Sequence, residues 1–301
     1  SGPNTLTIAV PASAAGDMAS RFRFSNDDPS GAMRSDGYWP NGEVEDYVLG
    51  SLGDFVWLDN GTGGGSPADG VQNGSEPGLP NVVVNLLDNL GNPVTDANSN
   101  PLSTTTDANG NYRFIGLPIG DYRVEFVEPQ GFVFVDANQG ADDAFDSDAN
   151  QSTGITDQVF TIAANASELT VDAGLLEVDL GDLPDGYLTL HSSAGARHGI
   201  DGTTFLGTTV DAELDGSPST DATADDVGGA GDDEDGVVFL TPITGDRTAE
   251  IQVTTSTNGF LHAWIDFDRD GTLDEVDVVS VDGLPVTPGT TLNDLALTGG
   301  V

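Results

Sequence analysis

Short segments in which apolar and polar residues alternate run through most of this chain, and their period of two strongly constrains the fold. In residues 121–126, for example, Tyr122, Val124 and Phe126 alternate with charged residues. Successive side chains of a β-strand point to opposite faces, so this pattern predicts a half-buried strand. Similar segments recur at short intervals, separated by turns rich in Gly and Asn. We therefore predict an all-β chain of tandem immunoglobulin-like β-sandwiches, without amphipathic helices.

The N-terminal segment shows the same alternation. It places Phe22 and Phe24 on the expected core face of a strand and Arg21 and Arg23 on the outer face. The segment has the pattern of three short strands, which bury too little apolar surface to be stable alone. We therefore expect residues 1–50 to need a partner.

Residues 104–114 have the composition of a β-hairpin. Two runs with strand-forming residues flank Asn109 and Gly110, a pair that accommodates positive φ in tight turns. The sequence predicts that the two runs pair with each other across this turn.

One stretch, residues 266–277, has the spacing of a calcium loop. Acidic side chains occupy the first, third, fifth, ninth and twelfth positions, and Gly271 occupies the sixth, where such a loop must turn sharply. Residues 260–267 alternate like a strand, so the loop would lie on a β framework. A solvated acidic turn is the alternative. The predicted ligands are Asp266, Asp268, Asp270, Thr272, Asp274 and Asp277.

The charge of the chain supports cation binding. It has 50 acidic and 8 basic residues, all of the latter Arg, and a formal net charge of −42. Such a charge strains a compact fold unless cations neutralise it, and it argues against nucleic acid or anionic membrane as a partner. A salt-adapted surface would scatter the acidic residues, whereas here they cluster in loops. We expect several Ca²⁺ ions and, because extracellular calcium fills weak sites, a secreted, extracellular or cell-surface location.

Two further sequence properties exclude classes of protein. The chain has no Cys, so disulfides and thiol catalysis are excluded. No apolar run approaches the length of about 18 residues that a membrane-spanning helix requires, so we expect no membrane insertion.

Residues 51–176 contain several motifs in a fixed order: Gly53-Asp-Phe-Val-Trp57, Asp69-Gly-Val-Gln72, Thr106-Asp-Ala-Asn-Gly-Asn-Tyr112, Asp146-Ser-Asp148 and Val171-Asp-Ala-Gly174. This segment resembles the SdrD B-like (Cna-B-type) domains of bacterial surface adhesins, which are calcium-binding spacers in stalks. The resemblance implies two sets of calcium ligands. They are Asp59, Asp69, Asn73 and Glu76 in one loop, and Asp143, Asp146, Asp148 and Asp172 in another. Many relatives carry a Lys–Asn isopeptide cross-link, which this lysine-free chain cannot form.

The flanking segments resemble two parts of the GEVED domain of large secreted bacterial proteins. Gly42-Glu-Val-Glu-Asp46 is the motif of its C-terminal part, and Asp182-Leu-Pro-Asp-Gly-Tyr187 and Ala263-Trp-Ile-Asp-Phe-Asp268 are similar to its N-terminal part. The parts stand in reversed order. We therefore expect three segments, residues 1–50, 51–176 and 177–301, in which the first completes the third of another copy.

That completion would occur by covalent repetition or by strand donation between chains. Either route makes other copies of the same chain its partners and produces a head-to-tail filament. The function that the sequence favours is a structural repeat of a filament, stalk or matrix fibre.

Two other functions remain open at this stage. An adhesin module would bind a surface protein or glycan, and Tyr38-Trp39-Pro40 is the aromatic cluster that could serve it. A carbohydrate-processing domain would need paired carboxylates free of metal. His191, His198 and His262 form no recognisable catalytic pattern with a nucleophile, so we expect no enzymatic activity. The acidic run at residues 221–235 is compatible with either ion binding or a solvated loop.

Overall fold

The computed structural model describes residues 6, 8–9, 18–26, 34–39, 41–163, 166–224, 235–244, 249–274, 277–278, 283–288 and 291–295. The predicted strand at residues 5–10, most of the acidic run at 221–235 and the expected junction of residue 301 with residue 1 lie largely or wholly outside these ranges.

The described part is almost entirely β-structure, which confirms the predicted fold class. Its helical elements are two single-turn 3₁₀ helices, Asp185–Tyr187 and His191–Ser193. None of its helices is long and apolar enough to cross a membrane. The strands in chain order are β1 (Met18–Phe24), β2 (Glu43–Gly53), β3 (Val56–Leu58), β4 (Val83–Asp88), β5 (Ser103–Thr105), β6 (Phe114–Leu117), β7 (Gly120–Phe126), β8 (Phe132–Phe134), β9 (Phe160–Ile162), β10 (Ser167–Leu169), β11 (Ala173–Leu180), β12 (Arg197–Gly199), β13 (Val237–Phe239), β14 (Ala249–Val253), β15 (Gly259–Leu261), β16 (Leu284–Val286) and β17 (Thr291–Leu295).

The chain forms two compact units. The first contains residues 1–128 and 134–175, and the second contains residues 129–133 and 176–301. In the first unit, β2 continues without a break across residue 50. The division into segments at residues 50 and 176 stays a prediction.

Three sheets contribute to the first unit. One has the strand order β1-β2-β10, with β6 also paired to β2, and another has the order β5-β4-β7-β9. In the third, β3 pairs parallel with the start of β11. As predicted from the alternation, Tyr122, Val124 and Phe126 of β7 are buried. The ring of Phe126 meets that of Tyr112 edge to face, with centroids 5.6 Å apart. Trp57 on β3 is also completely buried. This dense core fixes the strand ends from which the acidic loops emerge.

The predicted hairpin at residues 104–114 is wrong in its pairing. The turn itself forms, because Gly110 has φ +85° and its NH donates to the carbonyl oxygen of Asp107 at 3.0 Å. However, β5 pairs with β4, whereas β6 pairs with β2 in the other sheet. The chain thus passes from one sheet to the other at this turn. Which strands pair depends on residues distant in the sequence, and local turn chemistry does not determine it.

The expected burial of Phe22 and Phe24 is also wrong. Strand β1 forms and pairs antiparallel with β2 over its whole length. Nevertheless, Phe22 remains 47% exposed and Phe24 72% exposed. Alternation correctly places the two rings on one face, but no described part of the chain covers that face fully.

The second unit has a less complete core. Its sheets are β13-β14-β17 and the pair β15-β16, and β12 pairs antiparallel with the end of β11. Few of its described apolar side chains are fully buried, among them Val178, Val253 and Val286. The strand expected at residues 260–267 is shorter, since regular pairing ends at Leu261 opposite Leu284. Next to Leu284, Gly283 has φ +70°, outside the extended conformation of a strand.

We expect the core of the first unit to carry much of its stability. Phe126→Ala should lower the free energy of unfolding by about 3–5 kcal/mol, because it removes a fully packed ring and leaves a cavity. Ile119→Ala removes a side chain that is mostly exposed and should change it by about 0.5 kcal/mol or less. Urea unfolding followed by tryptophan fluorescence measures both. Equal effects of the two substitutions would contradict this core assignment.

Candidate metal centres

The first candidate centre begins where β3 ends. Strand β3 carries buried Val56 and Trp57, and the next residue after the strand, Asp59, is 0% exposed. Its Oδ2 accepts a hydrogen bond from the backbone NH of Gly70 at 2.7 Å. Its Oδ1 is buried and has no hydrogen-bond partner in the described residues. An ionised carboxylate in this position lacks one of the contacts that water would give it.

The other predicted ligands of this loop surround Asp59. Buried Glu76 accepts the backbone NH of Gly61 with Oε1 and that of Asn73 with Oε2, both at 2.8 Å. The carboxylate of Asp69 accepts the side-chain amide of Asn73. Burial raises the pKa of Asp59 to about 6, and the charges of Glu76 and Asp69 act in the same direction. The loop therefore concentrates negative charge around one buried oxygen.

The second candidate centre brings three predicted ligands together. Single carboxylate oxygens of Asp143, Asp146 and Asp148 all lie within 4.8 Å of one another. Asp146 and Asp148 are both buried, and Oδ1 of each has no hydrogen-bond partner in the described residues. Burial raises the pKa of Asp148 to about 8, with added repulsion from Asp143 and Asp146. Such a set of oxygens matches the ligand preference of calcium.

Asp172 lies beside this cluster rather than within the group of three. Its backbone NH donates to Oδ2 of Asp148 at 2.8 Å, and its own Oδ1 accepts the backbone NH of Phe55 at 2.8 Å. Burial raises its pKa, and the neighbouring charge of Asp54 adds to the effect. Asp54 was missed as a site residue. The signal that could have found it is its position in the Gly53–Trp57 motif, directly before the strand that Asp172 contacts.

The third candidate centre is the loop at residues 266–277. Oxygens of Asp266, Asp268 and Asp270 lie within 4.8 Å of one another. Gly271 has φ +87°, as the sixth position of such a loop requires. Oδ1 of Asp266 is buried without a hydrogen-bond partner in the described residues. The Tyr187 hydroxyl donates to Oδ2 of Asp266 at 2.8 Å and holds the pKa of that carboxyl below its ordinary value.

The remaining predicted ligands of this loop lie outside the group of three carboxylates. Asp277 is almost completely buried, and its two oxygens accept the backbone NH groups of Phe267 at 2.9 Å and Asp274 at 3.2 Å. The hydroxyl of Thr272 donates to Oδ1 of Asp270 at 2.7 Å. Three of the six predicted residues thus share one cluster. Asp277 bonds to the backbone of the loop, including the NH of Asp274, and Thr272 bonds to Asp270.

Other acidic residues of the chain show a different arrangement. In three turns, Asp88, Asp96 and Asp107 each accept hydrogen bonds from the backbone NH groups two and four residues further on. These bonds satisfy the carboxylates and hold their pKa values below the ordinary range. The candidate centres differ because buried Asp59, Asp146 and Asp148 each have one oxygen without a hydrogen-bond partner among the residues described. The donor chemistry of these sites fits a hard divalent cation such as calcium.

The described histidines do not form a catalytic group. His191 lies in a 3₁₀ helix, His198 lies on β12, and His262 stacks on Trp264 with ring centroids 6.2 Å apart. No described histidine belongs to either close acidic group. The acidic groups, in contrast, have the ligand types that a divalent cation prefers.

Comparison with known proteins places the central segment. Residues 50–175 match the model of a family described as the SdrD B-like domain. Serine-aspartate repeat-containing protein C of Staphylococcus aureus, strains Newman and COL, is 37% identical to this chain over 145 residues. That match covers 48% of this chain and 13% of the length of each relative.

Among solved structures, a similarity was found to BcpA, the major pilin subunit of Bacillus cereus. The sequence identity is 13% and the TM-score is 0.24, with 44% of this chain and 33% of that chain covered. The family match over residues 50–175 confirms the predicted resemblance to SdrD B-like domains for the central segment. The resemblance of the flanks to the GEVED domain stays a prediction.

The raised pKa values predict how pH acts on calcium-free protein. Folding raises the pKa of Asp59 to about 6 and of Asp148 to about 8, from an ordinary value of 3.8. The folded state therefore holds more protons than the unfolded state, and stability should fall as pH rises from about 5 to about 8. Urea unfolding in calcium-free buffer at several pH values measures this slope.

Asp148→Asn is the matched control for this experiment. It should reduce the pH slope and stabilise the calcium-free protein at pH 8, because it removes a buried charge. Calcium-free protein that is equally stable, or more stable, at the higher pH would contradict the assignment.

Proposed function

We propose that this chain is a structural repeat of a secreted, calcium-stabilised filament, stalk or extracellular matrix fibre, whose copies associate head to tail. The observation that carries the proposal is the burial of Asp59 and Asp148, each with one oxygen that has no hydrogen-bond partner in the described residues. Buried ionised groups require a compensating charge, and a divalent cation supplies it.

The family match supports a structural role for the central segment. The SdrD B-like match covers both buried acidic centres, at residues 59–76 and 143–172. The resemblance implies a calcium-binding spacer of a bacterial surface protein, and we extend that role and an extracellular or cell-surface location to this chain. The whole relatives are much longer than the matched segment, so their other properties are not transferred.

The proposed mechanism is mechanical. In the first centre, Asp59, Asp69, Asn73 and Glu76 would hold an ion that ties the end of β3 to its long loop. In the second, the cluster of Asp143, Asp146 and Asp148 would join the segment around Asp172 that continues into β11. The ion supplies positive charge and several oxygen contacts at once, so each loop becomes stiff where it has little apolar surface to pack on. Stiff units in series make an extended rod.

The adhesin alternative also has one supporting observation. Tyr38 is a large aromatic residue that is almost fully exposed, and Trp39 lies beside it. Aromatic side chains of this kind are common in binding surfaces. A glycan or protein ligand at this position would be compatible with the structural role. We propose no enzymatic activity.

Removal of calcium by a chelator should lower the thermal stability of the protein and make it less rigid. Occupation of one site at a calcium concentration of 100 times its Kd stabilises the folded state by about 2.7 kcal/mol. For units of this size, removal of that ion should lower Tm by about 5–10 °C per site. Calorimetry and small-angle X-ray scattering, with calcium or with EDTA, measure Tm and maximum dimension. An unchanged Tm and an unchanged length in EDTA would refute the calcium-stiffening proposal.

Loss of a ligand should affect one unit selectively. Asp266→Ala removes a member of the loop cluster in the second unit and should loosen that unit while sparing residues 51–176. Asp59→Ala should have the opposite selectivity. Hydrogen exchange measured peptide by peptide, in calcium, resolves the two regions. Equal loss of protection in both regions after either substitution would count against independent sites.

A further inference from the structure

The loops of the first and second candidate centres are paired with each other. Val71 forms an isolated antiparallel bridge with Asp146, a predicted ligand of the second centre. Val71 itself lies between two predicted ligands of the first centre, Asp69 and Asn73. The NH of Val71 donates to Oδ1 of Asp69 at 3.0 Å, and its carbonyl oxygen accepts the side-chain amide of Asn73 at 2.8 Å. The bridge therefore connects ligand-bearing backbone of both centres.

Two hydrogen bonds flank this bridge. The NH of Gln72 donates to the carbonyl oxygen of Phe145 at 2.6 Å, and the NH of Ser147 donates to that of Gly70 at 3.1 Å. Together with the bridge, these bonds join three consecutive residues of one loop to three consecutive residues of the other. Contiguous networks of hydrogen bonds are one physical means by which two sites are coupled.

Gly70 belongs both to the first centre and to the connection between the loops. Its NH donates to Oδ2 of Asp59 at 2.7 Å, while its carbonyl oxygen accepts the NH of Ser147. Its φ of +70° suits Gly, and a Cβ atom here would lie 2.5 Å from the carbonyl oxygen of Asp136. The backbone at Gly70 is thus closely confined, so a shift of the Asp59 carboxylate would also shift the acceptor of Ser147.

Each of the two centres contains a buried carboxylate that lacks compensation. Asp59 and Asp148 are buried, and Oδ1 of each has no hydrogen-bond partner among the described residues. An ion at either centre would therefore fix a carboxylate whose other oxygen bonds to backbone NH groups, those of Gly70 and Asp172 respectively. Binding of an ion thus orders backbone as well as side chains.

Direct charge repulsion is not what connects the two centres. Burial is the main cause that raises the pKa of Asp59 and of Asp148, and the carboxylates whose charges add to it lie outside the opposite centre. They are Glu76 and Asp69 for Asp59, and Asp143, Asp146 and Glu168 for Asp148. The paired backbone is therefore the described connection between the centres.

We infer that the first and second centres bind calcium with positive cooperativity, because the paired residues 70–72 and 145–147 are ordered by an ion at either centre. This inference rests on the proposed calcium binding and adds a relation between two of its sites. The first ion to bind offsets the entropy cost of ordering the paired backbone. The second ion then binds to a loop that is already ordered. By linkage, each ion raises the affinity for the other by the same factor.

A double-mutant cycle on calcium binding measures this cooperativity. The four proteins are the unmodified chain, Asp59→Asn, Asp148→Asn and the chain with both substitutions. Native mass spectrometry during a calcium titration gives the overall binding constant of each. The product of the constants of the unmodified and doubly substituted chains, divided by the product for the two single variants, should be about 10. A ratio near one, or below one, would overturn the inference.

A control cycle pairs Asp59→Asn with Asp266→Ala, which removes a predicted ligand of the third centre, in the other unit. Its ratio should be near one, because none of the bonds described between the paired loops involves Asp266. A control ratio as large as that of the test cycle would show a general effect of net charge and would overturn the inference.

Substitution of Gln72 tests the paired backbone itself. Gln72→Pro removes the NH that the carbonyl oxygen of Phe145 accepts, whereas the matched control Gln72→Ala keeps it. The test cycle repeated in the proline variant should give a ratio about fivefold smaller than in the alanine variant. Circular dichroism verifies that both variants are folded. Equal ratios in the two would contradict the paired backbone as the connection.

The number of bound ions separates this inference from the calcium proposal. If Asp59→Asn and Asp148→Asn each bind one ion fewer and the cycle ratio is near one, the calcium proposal stands and cooperativity alone is refuted. If neither substitution changes the number of bound ions, the calcium proposal fails and the inference fails with it. One ion fewer in each single variant, together with a ratio of about 10, supports both.

Discussion

Uncompensated negative charge at buried positions is the physical constraint on which the rest of this protein depends. Asp59, Asp146, Asp148 and Asp172 are all buried, in a chain with 50 acidic and 8 basic residues. The ion pair of Arg21 with Asp46 is exposed and involves none of these carboxylates. The cost of burying these carboxylates must therefore be offset by protonation or by bound cations. We propose that calcium supplies this compensation in an extracellular setting.

The two units differ in the interactions that stabilise them. The first unit has a dense core that includes Trp57, Phe126 and Phe134, and its acidic centres lie at the ends of strands that this core fixes. The second unit buries fewer large side chains in its described part and leaves Phe239 and Trp264 exposed in a groove. Its acidic loop is bonded to Tyr187 through Asp266. This hydrogen bond adds a polar contact in a unit where apolar packing is incomplete.

The sequence predicted well those features that depend on local chemistry. Alternation identified the inner face of β7, and the spacing of residues 266–277 identified a clustered acidic loop with Gly271 at its turn. Features that depend on residues distant in the sequence were predicted less well. The turn at Gly110 was correct but its flanking strands join different sheets, and Phe22 shares the expected face with Phe24 without being covered. Asp54 was missed because its neighbour Asp172 is far away in the chain.

We propose that the buried carboxylates bind calcium, and the number of bound ions tests this most directly. Native mass spectrometry of the intact chain, titrated with calcium, counts them. The account predicts saturable binding of several ions, with one fewer ion after Asp59→Asn and one fewer after Asp148→Asn. Asp121→Asn, on an exposed strand position, should leave the count unchanged. Weak, non-saturable adducts that are the same in all four proteins would contradict the account.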